Sequence, residues 1–444
     1  MDLSDYIIDN FNKILYIKIN KMTLDRTIPP LILPIQDFTL VKPTHLTLRN
    51  GMPAHFINAG VQPIISIQLI FETGNWFAPS AEVNFFTAKM MLEGTKKYTS
   101  SELTAEIDGY GATLDVGTAT DFAGIDFQCL TKYLPQMLAL VQELLTEATF
   151  PAQELEKLKT IAIQNIKINN QKTSMVASNE FRAKLFGTTH PYGYTMTEKS
   201  VEEINLDDLV ARYPYVFKGQ PFRVIAAGEI GETESKLIEQ FLGNLPIHNT
   251  VTHTVSHPIN SANQYQTYLE KDNAVQTSIR IGKQVMQRQN TDFVPFNVLN
   301  TVLGGFFGSR LMKNIREEKG LSYGISSSLA MLKNAGYIMI GTDVKKDLRQ
   351  QATDEIYKEI NLLTKEPIGE DELDLVKNYM KGSFIGSLNT PFALAERYRN
   401  IYSFGLAEDY YDHQIERINQ VSSEQLLALA QKYYTSGFIE VLVG

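Results

Sequence analysis

The residues best placed to do chemistry lie in the second half of the sequence, between Val302 and Ser328, in VLGGFFGSRLMKNIREEKGLSYGISSS. A glycine-rich turn leads into a predicted helix, and Gly320 is a suitable C-terminal cap before a predicted strand. Arg316 lies on this helix and Tyr323 opens the strand. One helix end and a turn separate them, so both side chains can reach one cleft. A guanidinium beside a phenol suits a peptide carbonyl or a developing oxyanion.

Arg316 also has an ordinary structural interpretation. The same stretch contains Glu317 and Glu318, and either of these, or another surface acid, could form an ion pair with Arg316. Such a pair would leave the arginine with no role beyond the surface of the helix. Spacing alone leaves both interpretations open.

The histidines are weaker candidates. Three of them, His248, His253 and His257, lie within ten residues and could suit zinc. The segment HTVSH is β-branched and is followed by Pro258, and on a strand the last two rings would lie about two strand repeats apart. No cysteine or carboxylate accompanies them, so we interpret this segment as a linker with incidental histidines. His190, in GTTHPYGYT, is interpreted as a turn element because no serine or cysteine nucleophile pattern is near.

The composition argues against several classes of protein. The chain has 444 residues, a net charge of −9 and no long basic block, so nucleic acid and anionic membranes are poor partners. No apolar run approaches the roughly 18 residues that span a bilayer. The G-x-S-x-G, Walker and dinucleotide motifs are absent. The single cysteine, Cys129, excludes a disulfide within the chain and is predicted to be a buried thiol, as in a reducing compartment.

The N-terminus shows no secretory signal, because it lacks a basic start, a compact apolar run and a small-residue cleavage site. We expect a cytoplasmic protein, with the periplasm as an alternative. The first residues are rich in Ile, Asn and Lys and differ in composition from the rest of the chain. They are interpreted either as an appended helix or as the result of a start assigned too early, with Met22 as the true beginning.

Similar stretches recur at a constant distance, which indicates a duplication. Pro151 and Pro367 each precede an acidic helix start and are 216 positions apart; Gly228 and Gly444 each close a buried strand and are also 216 apart. The capped helices of EEINLDDLVARYPY and ERINQVSSEQLLALAQKYY repeat at a similar distance. Strands grouped with long helices predict an α+β fold of two homologous domains of roughly 200 residues, each a mainly antiparallel sheet with helices packed on one face.

These patterns predict four segments. Residues 1–40 form an N-terminal extension and 41–244 the first domain. Residues 245–267 form a polar linker that contains the three clustered histidines. Residues 268–444 form the second domain, which carries Arg316 and Tyr323.

From Thr44 to Gly444 the sequence resembles the pitrilysin/insulinase-type (M16) zinc peptidases, in particular the branch with mitochondrial processing peptidase and its small bacterial relatives. The resemblance rests on LRNGMPAHFI, FETGNWF, MMLEGTKKYT, FRAKLFGTTHPYGY, VIAAGEI and, above all, GSRLMKNIREEKGLSYGISS. Active members of this family carry H-x-x-E-H on a first-half helix just before a Met-Leu-x-x-Gly-Thr stretch. Two histidines and a distal glutamate bind zinc, and the glutamate of the motif activates water.

Alignment of MMLEGT with that motif implies that this chain has lost its zinc site. Phe85 and Lys89 fall at the histidine positions, Ala88 at the base, and Asn165 at or beside the distal ligand. Phe and Ala cannot coordinate a metal, and a lysine cation repels one. The resemblance therefore implies a degenerate zinc motif, no metal or other cofactor in this chain, and no hydrolysis by this chain alone.

The resemblance gives Arg316 and Tyr323 a role, because in the family the Arg and Tyr of this motif reach the zinc site of the other half-molecule and hold substrate. It implies a substrate-binding subunit that supplies these two residues to a zinc-bearing M16 paralogue with an intact H-x-x-E-H, in a heterodimer that cleaves peptides. Two alternatives stay open: a non-hydrolytic peptide-binding homodimer and a structural or assembly subunit.

Overall fold

The chain contains two β-sheets whose strands are arranged in matching order. The computed structural model describes residue 27 and residues 40–248, 255–259 and 265–444. The predicted extension over 1–40 lies outside the described residues apart from positions 27 and 40, and so does His253. The strands are β1 (Thr44–Thr47), β2 (Pro53–Asn58), β3 (Ile64–Phe71), β4 (Thr113–Thr118), β5 (Ala123–Leu130), β6 (Arg223–Gly228), β7 (Gln266–Leu269), β8 (Gln276–Val285), β9 (Ser322–Met331), β10 (Gly336–Lys345) and β11 (Ile439–Val443).

The first sheet has the order β1-β2-β6-β3-β5-β4 and the second the order β7-β11-β8-β10-β9. Strands β2 to β6 therefore correspond one by one to β7 to β11. In both sheets one equivalent pair is parallel, β2 with β6 and β7 with β11, while the other neighbours are antiparallel. The predicted α+β class and its duplication are confirmed.

Helices cover the two sheets. They are α1 (Ala81–Met90), α2 (Ser100–Gly109), α3 (Leu134–Glu147), α4 (Ala152–Gln171), α5 (Thr173–Phe186), α6 (Glu198–Glu202), α7 (Leu206–Val216), α8 (Glu232–Leu242), α9 (Phe293–Asn300), α10 (Arg349–Lys365), α11 (Glu370–Gly386), α12 (Pro391–Phe404), α13 (Gln414–Gln420) and α14 (Ser423–Tyr433). Their starts follow the sequence signals: the side chain of Asn205 accepts from the backbone of Asp208 at 2.9 Å, and Ser422 accepts from Gln425 at 3.2 Å. No helix in the described part of the chain is long and apolar enough to cross a membrane.

One helix of each half covers the sheet of the other half, on the face opposite that sheet's own helices. On β10, Ile338 and Ile340 face the core of the second half, whereas Tyr337 and Met339, which alternate with them, pack against the cluster that contains Phe181 of α5. Helix α5 comes from the first half and contacts β8 and β11. The sequence predicted the helix layer of each sheet but not this exchange.

The reciprocal contact is made by α12, which lies on β2 and β6 of the first sheet. On β3, Ile67 and Leu69 point into the core of the first half, while Gln68 between them donates to Glu396 of α12 at 2.5 Å. Tyr402, near the end of α12, stacks on His55 with ring centroids 4.0 Å apart. Each sheet is therefore covered on one face by helices of its own half and on the other face by a helix of the other half.

The closing strands end on equivalent glycines. A Cβ on Gly228, at φ +130°, would lie 2.1 Å from the carbonyl oxygen of Ile64, and a Cβ on Gly444 would lie 2.3 Å from Oγ1 of Thr277. Both positions require the absence of a side chain, since the neighbouring strand passes too close. Cys129 on β5 is buried, as predicted, and burial raises the pKa of its thiol to about 12.

Candidate functional site

The helix predicted before Gly320 is present but is wound as a π-helix over Met312–Glu318. It is fixed from the core side: Ile315 is fully buried, and the buried amide of Asn314 donates to Glu359 at 2.6 Å. Gly320 then adopts φ +62° and turns the chain into β9. A π-helix rotates the side chains away from the spacing of an α-helix, and such segments are frequent at functional sites.

Arg316 extends from the outer side of this segment. No carboxylate lies within 4.0 Å of its guanidinium in the described ranges, so the alternative ion pair with Glu317 or Glu318 is not formed there. Its contact is with a ring: the guanidinium carbon lies 4.7 Å from the centre of Phe307, whose side chain is 60% exposed. Arg310, one turn and a half earlier, is the arginine that is paired.

Arg310 differs from Arg316 in every contact. Its Nε and Nη2 donate to the two oxygens of Glu372 at 2.9 and 2.8 Å, a bidentate pair that joins the segment to α11. Arg310 therefore has a structural role, whereas the hydrogen-bond donors of Arg316 remain available for a ligand.

Tyr323 stands on a β-bulge at the start of β9. Ser322 pairs with Val344 and Ile325 with Thr342, so two residues of β9 lie opposite the single residue between those partners. The hydroxyl of Ser322 lies 2.9 Å from the carbonyl oxygens of Gly324 and Asp343, which fixes the bulge. The ring of Tyr323 is 93% exposed. The backbone is held while the phenol is presented to solvent.

The helix that would carry a zinc motif is α1, and its side chains are engaged in packing and pairing. Ala88 is fully buried, and Phe85 packs edge-to-face on Phe86 with centroids 5.2 Å apart. Lys89 donates to the carboxylate of Asp115 at 2.9 Å. Asn165, on α4, is exposed.

These residues do not fit a metal. Within the described ranges, no group of three or more His, Cys, Asp or Glu side chains could hold a metal ion. Lys89 at a histidine position is paired with a carboxylate, and neither a phenyl ring nor a methyl group donates a lone pair. The helix keeps the position of a zinc helix and supplies no ligand.

A buried carboxylate on the same helix was missed by sequence reasoning. Glu82 is 2% exposed and accepts hydrogen bonds from the hydroxyls of Tyr194, Ser200 and Ser80. Burial alone would raise its pKa, but these hydroxyl donors hold the pKa below its usual range. Each oxygen is satisfied within the fold, so Glu82 fixes the start of α1 and is not a free base.

The histidine interpretations have mixed outcomes. His190 is a turn residue as predicted, since its Nδ1 accepts from the backbone of Tyr192 at 3.0 Å. His257 has a packing role that the description as incidental missed: its ring meets Trp76 edge-to-face at 4.7 Å and its Nε2 lies 2.8 Å from the Trp76 carbonyl. Burial, and then His257, lowers the pKa of His190.

The fold and the site together define the class of protein: a duplicated α+β fold related to metallopeptidases, whose described residues contain no set of metal ligands. Residues 57–196 match the sequence model "Insulinase (Peptidase family M16)", and residues 203–380 match "Peptidase M16 inactive domain". The chain belongs to the M16 peptidase family.

Relatives with both active and inactive descriptions are similar to this chain. It is 24% identical over 406 residues to "Uncharacterized zinc protease YmxG" of Bacillus subtilis, covering 90% of this chain and 97% of the relative. It is 22% identical to "Non-peptidase homolog YmxG" of Helicobacter pylori, covering 86% and 89% of the two chains.

Solved structures share the fold. An M16 inactive-domain protein from Pseudomonas fluorescens superposes with a TM-score of 0.82 at 22% identity, covering 90% of this chain and 98% of that one. A Helicobacter pylori protease superposes with a TM-score of 0.81 at 16% identity, covering 91% and 100%. The chain is thus a zinc-motif-lacking M16 homologue over nearly its whole described length.

Proposed function

We propose that this chain is the substrate-binding, non-zinc subunit of a two-chain M16 endopeptidase, and that Arg316 and Tyr323 contact the peptide beside the scissile bond. The observation that carries the proposal is the contrast between the two halves. In the first half, Lys89 is consumed in an ion pair with Asp115. In the second half, Arg316 has no carboxylate partner in the described ranges and Tyr323 is 93% exposed.

The local structure supports a positioning role for the pair. Arg316 is carried by a segment anchored through Asn314, and Tyr323 by a bulge held through Ser322. The anchored backbone fixes the points from which the two side chains extend, so that both donors start from defined positions when a charge develops nearby. The guanidinium and the phenol would donate to the carbonyl oxygen of an extended peptide.

The remaining machinery would come from a partner, because this chain offers no ligand set for a metal in its described residues. We place the metal, its general base and the sheet edge that holds the peptide as an added strand in an M16 paralogue with an intact H-x-x-E-H. This chain's own contribution is to bind and orient the peptide at that site.

The test is reconstitution with an M16 paralogue that has an intact H-x-x-E-H and comes from the same organism. Mixed subunits should cleave an unstructured peptide, and Arg316→Gln or Tyr323→Phe should lower kcat of the mixture by about tenfold or more. Arg49→Gln and Tyr215→Phe are matched controls, because both side chains are also exposed and both belong to the first half of the chain. The controls should leave kcat unchanged.

Two results would overturn the proposal. Unchanged turnover in both Arg316→Gln and Tyr323→Phe would remove the role of the pair. Peptide binding by the chain alone, with no cleavage in any mixture, would instead support the non-hydrolytic peptide-binding homodimer.

A further inference from the structure

A second candidate site lies at the far end of the second sheet from Tyr323. In the ladder, Gln276 pairs with Lys345, close to the bulge that carries Tyr323, whereas Val285 at the other end of β8 pairs with Gly336. A ten-residue strand spans about 30 Å. Just beyond Val285 the chain enters a cavity of about 570 Å³.

The lining of this cavity is basic and amphipathic. Its main side chains are Arg288, Arg417, Gln425, Val294, Leu406 and Tyr410. No Asp or Glu lines it within the described ranges, although the whole chain has a net charge of −9. The volume is that of a pocket for a small molecule.

Arg288 is held by rings instead of a carboxylate. Its guanidinium carbon lies 5.4 Å from the ring centres of Phe293 and Phe404 and 5.9 Å from that of Tyr410. One Nη donates to the hydroxyl of Tyr411 at 2.8 Å. Its Nε is buried and has no hydrogen-bond partner in the described part of the chain. A guanidinium has five donor hydrogens, so most of its capacity is left for another acceptor.

Arg417 brings a second cation to the same cavity. Its guanidinium carbon lies 4.9 Å from the ring centre of Tyr410, and no ion pair to it is formed among the described residues. Five carboxylates adjoin the lining in sequence, and none forms an ion pair with Arg288 or Arg417 among the described residues: Asp292, Glu408, Asp409, Glu416 and Glu424. Asp292 accepts from Lys432 at 2.7 Å, and Glu416 accepts from Gln420 at 3.0 Å. Neither arginine is neutralised from within the cavity.

We propose that this cavity binds a small organic anion, with its carboxylate or phosphate group between Arg288 and Arg417 and its apolar part against Val294 and Leu406. Two cations in a partly desolvated cavity favour an anion strongly, and guanidinium groups match carboxylate and phosphate geometry. The apolar wall and the amides of the lining select an organic molecule over a simple ion. The proposal does not depend on the proposed peptidase role.

The test is calorimetric titration of the full chain with citrate, benzoate and inorganic phosphate, and with benzamide as the neutral isostere of benzoate. Citrate or benzoate should bind saturably at millimolar concentration or tighter, and more tightly than inorganic phosphate, while benzamide should not bind. Arg417→Gln and Arg288→Met should each weaken binding about tenfold or more, because each removes a charge-assisted contact. Arg417 contacts fewer aromatic rings than Arg288, so its replacement should leave the fold and thermal midpoint intact.

Arg49→Gln is the matched control, because it removes the same charge from the first half. The proposal is overturned if neither citrate nor benzoate binds saturably below about 10 mM, if inorganic phosphate binds as tightly as both, or if Arg49→Gln weakens binding as much as Arg417→Gln. Equal binding of benzoate and benzamide would also overturn it, since the cavity would then recognise only an apolar ring.

Discussion

Phe181→Ala should reveal how strongly the exchanged helix α5 holds the two halves together. Phe181 is fully buried beneath the second sheet, and its ring centre lies 6.0 Å from that of Tyr337. The fit to the strand below is close: a Cβ placed on Gly282 would lie 2.8 Å from the ring of Phe181. The ring therefore fills the space that the glycine leaves.

The expected cost is large because that space cannot collapse. Buried Phe→Ala substitutions lose about 3–5 kcal/mol, from lost burial and from the cavity left behind. Here the floor is β8 backbone, paired on both sides with β10 and β11, so relaxation is limited. We expect a loss in the upper part of that range. That corresponds to a change in the unfolding equilibrium of about three orders of magnitude.

The measurement is denaturant unfolding followed by fluorescence of Trp76, the single tryptophan. Trp76 reports on this junction, since its ring lies 5.2 Å from Tyr192, which contacts Phe186 at the end of α5 at 5.4 Å. Met175→Ala on the same helix is the control, because Met175 is 39% exposed. It should change stability by less than about 0.5 kcal/mol. A loss below about 1 kcal/mol for Phe181→Ala, or equal losses for both variants, would refute the reasoning.

Three further substitutions test other contacts. Burial, followed by the charge of Arg223, lowers the pKa of His55 to about 3. Between about pH 6.5 and pH 3 the unfolded chain therefore binds a proton that the folded chain does not, so stability should fall as the pH drops through this window. The unfolding free energy of His55→Gln, measured across the same window, should change less steeply with pH, by up to about 1.4 kcal/mol per pH unit. Gly228→Ala should destabilise by more than about 2 kcal/mol in the same denaturant assay, because the new methyl group meets a carbonyl at 2.1 Å; a neutral effect would contradict the close approach. Arg310→Gln should cost about 1–3 kcal/mol by thermal or denaturant unfolding, since it leaves Glu372 unpaired at a partly buried position, and a gain in stability would show that the bidentate pair does not hold the segment.

The duplicated fold could be predicted because its signals are local and repeat. Pro151 and Gly228 mark a helix start and a strand end, and equivalent residues recur in the second half. The exchange of α5 and α12 could not be predicted in the same way. Apolar residues on a helix predict that the helix is buried, but the sequence around Phe181 does not indicate which of the two sheets α5 packs on.

The site was predictable in its residues and not in its geometry. Arg316 and Tyr323 were singled out by residue type and by resemblance. The π-helical winding and the bulge beside Tyr323 depend on side-chain contacts such as those of Asn314 and Ser322, whose partners come from distant parts of the chain. The cavity at Arg288 was missed for the same reason, because Arg288 and Arg417 are far apart in sequence and meet only in the folded chain.

The reciprocal helices have a consequence for how such a chain could arise. Either repeat alone would leave one face of its sheet exposed to solvent. In a dimer of such repeats, each copy could cover that face of the other with the equivalent helix. The present chain is thus equivalent to a domain-swapped homodimer whose protomers have been fused end to end. Fusion keeps the two copies in a fixed one-to-one ratio and lets each change separately, so that one copy can lose chemical groups while the other keeps its own.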